Sequence, residues 1–230
     1  MTDLHTHILP GMDDGAHTLE EALQLLREQK KQGITKVALT PHFYKRREAT
    51  AHFLARRQDA WEKLQIATRG GDYPELILGA EVAWAPDMSQ WPELEELCYQ
   101  NTKILLVELP VMPWTDSIFR ELYNLEGCRG VIPMIAHLDR YYYQQKKRDI
   151  DRILEMGYPV QVSAEALSSF FFRKHALNLL ENYEGVLISD CHNLLDRAPN
   201  MASAVRVVEK KRGIRMANQI KAMTEEALKG

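Results

Sequence analysis

Asp3-Leu4-His5-Thr6-His7, at the very start of the chain, decides how the rest of it is read. Residues 2–8 read as a strand. Side chains alternate along a strand, so two histidines two apart share one face. Two imidazoles on one face of a strand are half of a metal site. Alone, a His-x-His pair is often a surface accident, so its meaning depends on the other 220 or so residues.

Those residues repeat a pattern. Short runs rich in Val, Ile and Leu recur at 36–40, 76–81, 104–109, 131–136, 160–164 and 186–189. Each has the composition of a strand buried on both faces. Helical patterns lie between them. The first opens at Thr18-Leu19-Glu20-Glu21, a capping residue followed by early acidic ones, and ends at Gly33. Further helices are expected over 50–67, 92–100, 117–125, 146–155, 169–182, 200–211 and 213–227. Seven βα units without a linker predict an α/β fold with a parallel sheet, open or closed as a barrel, in one domain over 1–230.

Residues suited to metals fall at matching places in these units. His5 and His7 sit in the first strand, and His42 follows the second. Glu81 ends the third, Glu108 ends the fourth, and His137 follows the fifth. Asp190 and His192 follow the seventh. In a parallel barrel, catalytic groups gather at the C-terminal ends of the strands. Singly, each has a plain explanation: His42 as a turn residue, His137 as a satisfied core histidine. A Glu inside Leu106-Val107-Glu108-Leu109 is harder to dismiss, because an unpaired buried carboxylate is costly. Six of seven strands offering such a group at one end is not chance. Histidines with carboxylates and no thiolate cluster suit manganese, iron or zinc. The donors exceed the need of one ion, so two or three ions with a bridging carboxylate are expected. Such clusters generate hydroxide at neutral pH and clamp both oxygens of a phosphoryl displacement.

Composition narrows the alternatives. The chain has 230 residues, 45% hydrophobic and 27% charged, enough for a sizeable core. A formal net charge of −3 supplies no field for nucleic acid. The basic runs Lys45-Arg46-Arg47, Lys146-Lys147-Arg148 and Lys210-Lys211-Arg212 read as solvated helix faces and loop ends. No apolar run approaches the roughly 20 residues of a membrane helix, and the first residues lack the basic-then-apolar pattern of a signal peptide. Cys98, Cys128 and Cys191 are odd in number and far apart, which argues for a reducing, cytoplasmic setting. Cys191 to Arg197 also spells Cys-x5-Arg, the spacing of cysteine-dependent tyrosine phosphatases. That segment holds no glycine for a phosphate loop, and Asp190 and Asp196 disfavour a thiolate, so the cysteine route is not expected to operate.

Taken in order, Asp3 to Gly15, Thr40-Pro41-His42, Gly79-Ala80-Glu81, Val107-Glu108-Leu109-Pro110, His137-Leu138-Asp139-Arg140 and Ser189-Asp190-Cys191-His192-Asn193 are similar to the PHP (polymerase and histidinol phosphatase) superfamily. Within it, the chain resembles the manganese-dependent protein-tyrosine phosphatases of bacterial capsule and exopolysaccharide operons. The resemblance implies a distorted, TIM-like (β/α)7 barrel, the PHP fold, with two to three manganese ions (iron or zinc as alternatives). It implies one ion held by His5, His7, Glu81 and Asp190, a second by Glu81, Glu108 and His137, and a third by Asp14, His42 and His192. Asp14 matches the family position; from the residues alone, Asp13 or Asp14 would serve. Arg140 and Arg197 match family positions that bind the substrate phosphate, and a guanidinium fork suits two phosphoryl oxygens. The implied activity is hydrolysis of phosphotyrosine by metal-activated hydroxide, on the tyrosine-rich C-terminal tail of the cognate capsule tyrosine kinase, with no nucleic-acid partner and no membrane insertion. A small-molecule phosphatase such as histidinol-phosphate phosphatase, or a PHP-type nuclease, would use the same ligands. Trp84 with its neighbours, and Tyr141-Tyr142-Tyr143, follow strands on the active face, where they either stack on a phenol ring or pack loops.

Overall fold

All seven expected strands form. The computed structural model describes residues 1–183 and 185–228, and among them every strand pairing is parallel. β1 (Thr2–Thr6) pairs with β2 (Lys36–Leu39), and β2 pairs with β4 (Glu75–Leu78). After Thr40-Pro41 the second strand resumes as β3 (His42–Phe43). After Gly79-Ala80 the third resumes as β5 (Glu81–Ala83). These continuations pair with each other, and β5 leads on through β6 (Ile104–Glu108), β7 (Ile132–Ile135) and β8 (Val160–Ser163) to β9 (Gly185–Ile188). The ring closes where Thr6 bridges Cys191, with His7 N donating to Cys191 O at 2.9 Å and Asp190 N donating to His5 O at 3.0 Å.

One apolar cluster fills the inside of this ring. Leu4, Ala38, Leu106, Met134, Val186 and Ile188 meet there, about one side chain per strand, as barrel interiors require. A larger cluster packs the outer face against the helices. Leu25 and Leu26 of α1 (Leu19–Lys31), Phe53, Trp61 and Leu64 of α2 (Thr50–Thr68), and Leu122 and Leu125 of α3 (Asp116–Arg129) belong to it. α1 begins as its sequence predicts. Thr18 Oγ1 accepts from Glu21 N and Glu21 Oε2 accepts from Thr18 N, each at 3.2 Å. The remaining helices are α4 (Lys147–Glu155), α5 (Ala164–Ser168), α6 (Arg173–Asn182), α7 (Met201–Arg212) and α8 (Ile214–Glu226). None of the described helices is long and apolar enough to cross a membrane.

Two helix expectations fail locally. Residues 92–100 form only a short 3-10 turn at Leu94–Leu97. Tyr99 N donates to Ile104 O and Gln100 N to Leu78 O, so neighbouring strands claim the backbone a helix would have used. The helix expected from 169 starts at Arg173, leaving Phe170 and Phe171 exposed on a loop.

Candidate metal centre

The strand ends bring all nine predicted ligands into one cluster. β1 contributes His5 and His7, whose Nε2 atoms lie 3.1 Å apart. The register of β1 slips between Asp3 and Thr6, so consecutive residues Leu4 and His5 both reach the interior. Glu81 lies at the centre, 1% exposed. Its Oε2 is 2.8 Å from His42 Nδ1, 3.3 Å from His5 Nε2 and 3.4 Å from His7 Nε2; its Oε1 is 2.9 Å from His137 Nε2. Asp190 Oδ1 lies 3.5 Å from His5 Nε2 and 3.3 Å from His7 Nε2. Asp14 Oδ1 is 3.6 Å from His42 Nε2 and 3.5 Å from His192 Nε2, and Glu108 Oε1 is 3.9 Å from His137 Nε2.

The backbone bends to achieve this. His137 and Asp190, directly beyond β7 and β9, adopt φ of +30° and +53°, a region non-glycine residues seldom occupy. Such conformations cost about 1–3 kcal/mol and persist where surroundings over-determine them. Here they turn a side chain off its strand end into the cluster.

Three of the histidines are oriented from behind. His5 Nδ1 meets Gln161 Oε1 at 2.7 Å, and Gln161 Nε2 in turn donates to Tyr99 Oη at 3.2 Å, which fixes the amide's direction. His7 Nδ1 meets Asp13 Oδ2 at 2.7 Å, and His192 Nδ1 meets the Asp190 carbonyl at 3.0 Å. Each Nδ1 therefore carries a hydrogen pointing outward, leaving each Nε2 lone pair facing the cluster. This is the arrangement outer partners impose on metal-binding imidazoles. Three of the buried polar atoms without a hydrogen-bond partner lie in the cluster: Glu81 Oε2, His42 Nδ1 and His192 Nε2. Buried polar atoms are almost always satisfied, so donors left free here are available to a cation. Donor atoms that could share an ion fall into three overlapping groups: His7, Asp14, His42 and His192; His5, His7 and Glu81; His42, Glu81 and Glu108. A polynuclear centre fits these donors. His42 reaches both the Glu81 and the Asp14 sides, a position its spacing in the sequence did not reveal.

Charge in the cluster is balanced internally. Burial alone would lower the His5 and His7 imidazoles, but Glu81 and Asp190 hold the first above its ordinary value, and Asp13, Asp190 and Glu81 hold the second well above. Burial likewise opposes ionisation of Glu81 and Asp190, yet the surrounding imidazoles, with Arg140 at Asp190, hold both well below the usual carboxylate range. Burial and the Glu81 charge push Glu108 up to about 6, while burial and His7 push His192 down to about 4. These are mutually dependent groups poised to exchange protons for a cation.

The roles of three residues are not legible in the sequence, although Asp13 stands beside Asp14 as a candidate ligand. Asp13 turns away from the cluster, accepting from His7 Nδ1, from His42 N at 2.9 Å and from Gly15 N at 3.0 Å. That leaves Asp14 as the carboxylate on the ligand side. Gly15 permits the turn, because a Cβ there would stand 1.9 Å from His7 O. Gln161 was visible only as a polar residue within Val160-Gln161-Val162.

The two arginines converge as well. Arg140 and Arg197 both reach Asp190 Oδ2, Arg197 at 2.9 Å, while their side chains stay 36% and 34% exposed at the rim. Tyr141 is not available for stacking on a substrate. It is buried between Trp114 and His137, and its hydroxyl donates to Leu109 O at 2.6 Å. The Cys-x5-Arg alternative fails on geometry. Cys191 is fully buried, its thiol pushed up by burial, and its sulfur faces Gln29. The loop amides are spent internally, His192 N on Arg197 O, and Leu195 N and Arg197 N on Asn193 Oδ1.

Comparison with known proteins gives the family and the fold. The family model for capsular polysaccharide synthesis, CpsB/CapC, matches residues 1–228. The chain is 29% identical to tyrosine-protein phosphatase CpsB of Streptococcus agalactiae, over 96% of this chain and 94% of that one. It is also 29% identical to tyrosine-protein phosphatase YwqE of Bacillus subtilis, over 93% and 85%. A crystal structure from work on YwqE of Bacillus subtilis and CpsB of Streptococcus pneumoniae, described as unique metal-dependent tyrosine phosphatases, superposes with a TM-score of 0.82 at 26% identity, covering 100% of this chain and 94% of that one. An organophosphorus hydrolase variant shares the fold alone, with a TM-score of 0.54 at 13% identity.

Proposed function

The chain belongs to the CpsB/CapC family of capsular polysaccharide synthesis, and from that premise we infer that it is a metal-dependent tyrosine-protein phosphatase. The observation that carries the reading is that His5, His7 and His192 turn Nδ1 to outer partners and Nε2 to the cluster carboxylates, the first two to Glu81 and the third to Asp14. His5, His7, Glu81 and Asp190 would hold one ion; Glu81, Glu108 and His137 a second; Asp14, His42 and His192 a third. Manganese suits these donors, with iron or zinc as substitutes. When bound, the ions supply a low-pKa water and neutralise phosphoryl charge.

The chain's own residues do the rest. Gln161, Asp13 and the Asp190 carbonyl hold the imidazoles in register. Arg140 and Arg197 sit at the rim, Arg197 with its second terminal nitrogen 3.6 Å from Asp14 Oδ2, positioned to take phosphoryl oxygens as charge spreads over them. Asp190 pre-orients both forks. A cavity of about 450 Å³, lined by Asp14, His42 and Tyr44 among others, opens beside the cluster and admits an aryl phosphate carried on a flexible chain. The substrate is a phosphotyrosyl protein, in particular the tyrosine-rich tail of the cognate capsule kinase. Residues 1–230 act as one metallophosphatase domain in the cytoplasm, without nucleic acid.

Metal analysis of the purified protein, with hydrolysis of a phosphotyrosine peptide, histidinol phosphate and single-stranded DNA with and without manganese, tests this. At least two ions per chain and manganese-dependent preference for the peptide are expected. Fewer than two ions, with no peptide hydrolysis after manganese is restored, would overturn it.

A further inference from the structure

Of the three basic runs, Lys45-Arg46-Arg47 is the one that reaches the cavity beside the cluster, through Arg47. In the run at 146–148, Lys147 pairs with Asp151 and Arg148 with Asp149; in that at 210–212, Arg212 pairs with Glu181. The run after β3 differs. Lys45 donates to Thr50 Oγ1 and lies over the Trp91 ring. The Arg47 guanidinium lies 4.2 Å over the Tyr44 ring and has no carboxylate partner among the described residues. The nearby acids are already committed. Glu48 accepts from Arg56 at 3.0 and 3.1 Å and meets His52 Nδ1 at 2.9 Å, while Asp13 is spent on His7, His42 and Gly15.

Tyr44 and Arg47 line, together with Asp14 and His42, the cavity of about 450 Å³. The half-buried Tyr44 ring lies 5.3 Å from the His42 ring. From the His42 ring to Tyr44 is 5.3 Å and from Tyr44 to the Arg47 guanidinium 4.2 Å, together at most about three residues of extended chain at about 3.3–3.6 Å per residue. A guanidinium stacked on an aromatic face keeps its edge N–H groups free and loses little freedom on binding a planar anion. Left unpaired beside a cleft, it asks for an anion that comes with the ligand.

We propose that Tyr44 and Arg47 form a specificity subsite that reads an anionic side chain, a carboxylate or a second phosphate, one to three residues from the phosphotyrosine. This rests on the phosphatase reading of the neighbouring cluster. The anion pairs with the Arg47 edge, and Tyr44 both supports the guanidinium and flanks the peptide. Arg46, adjacent but outside the cavity lining, contributes only diffuse charge.

The test compares kcat/KM of the manganese-loaded protein on phosphotyrosine peptides with Ala, Asp or a second phosphotyrosine at each flanking position, and on 4-nitrophenyl phosphate, which has no flank. Binding of a non-hydrolysable phosphonate peptide, with Ala or Asp beside it, gives a second readout. Wild type is expected to favour the Asp flank about two- to fivefold, within the range of an exposed ion pair, with the preference fading at high salt. Arg47→Ala should abolish that preference, mostly through KM, while Arg46→Ala retains it. The phosphorylated flank tells whether a doubly charged group is read more strongly than a carboxylate. Lack of flank preference in wild type overturns the proposal, as does its persistence in Arg47→Ala. An equal loss on 4-nitrophenyl phosphate also overturns it, by making Arg47 a ligand of the reacting phosphate. Failure of wild type to hydrolyse any phosphate ester overturns the phosphatase reading and this subsite together.

Discussion

Replacing Asp13 and Asp14 separately by Asn separates positioning from ligation, which their adjacency in the sequence hides. Asp13 accepts three hydrogen bonds: Oδ2 takes His7 Nδ1 and His42 N, and Oδ1 takes Gly15 N. An amide of the same shape has one acceptor oxygen, so whichever way it turns, an NH2 group faces an N–H. A donor left unsatisfied at a buried site costs about 1–3 kcal/mol. Loss of an outer partner of a metal-bound imidazole costs roughly 10–100-fold in metal affinity. Asp13→Asn should therefore bind the full complement of ions with affinity about 10–100-fold weaker, and its metal-free form should lose about 1–3 kcal/mol of stability. Asp14 is different. Its side chain is 64% exposed and its Oδ1 faces His42 Nε2 and His192 Nε2. Asp14→Asn should fold as stably as wild type and bind one ion fewer. Elemental analysis with chelator-competition titration gives count and affinity, and urea denaturation of the metal-free proteins gives stability. If Asp14→Asn keeps the full count while Asp13→Asn loses an ion, the roles are reversed and the geometric argument fails.

Other outcomes rest on single contacts. Cys191→Ser should keep its phosphatase activity and lose it to a chelator; activity lost with serine but resistant to the chelator would restore the cysteine mechanism. Gly15→Ala places a Cβ 1.9 Å from His7 O, a backbone atom with nowhere to go. The 13–15 turn must shift, so metal affinity should fall at least about tenfold, measured by the same competition titration; wild-type affinity would show that the turn is not what holds His7. Arg57 is buried and donates to Gly79 O at 3.0 Å and Glu96 O at 2.7 Å, tying α2 to the break in the third strand. Arg57→Met should cost about 2–4 kcal/mol in urea denaturation by stranding two carbonyls, while the folded fraction keeps its metal count. A loss under about 1 kcal/mol would mean that water satisfies them.

Why the ligands could be read in the sequence and their supports could not is a matter of which information is local. Glu108 stands out because a carboxylate between apolar strand residues is expensive wherever it occurs, and the same reasoning marks Glu81 and Asp190. The six later strands stand out because burial on both faces writes short runs rich in Val, Ile and Leu. Neither signal needs the fold. The direction of a side chain does. His5 depends on Gln161, which is 156 residues away, and a Gln between two valines reads the same whether it points into a barrel or out of it. The slip in β1 that turns Leu4 and His5 inward together breaks the very alternation used to pair His5 with His7. The pair still meets, because His7 lies beyond the strand and is set by Asp13 and Gly15 rather than by the pleat. At His137 and Asp190 the left-handed backbone is only faintly written in residue type: His and Asp visit φ above zero more often than most non-glycine residues, but still seldom enough that neither marks the position. The donor atoms of this centre are thus a property of composition at strand ends. Which nitrogen of each imidazole faces inward is a property of contacts that only closure of the ring creates. Substitutions in the second group should therefore weaken metal binding without removing a ligand, and for that reason Asp13 and Gln161 are the more stringent tests of the fold.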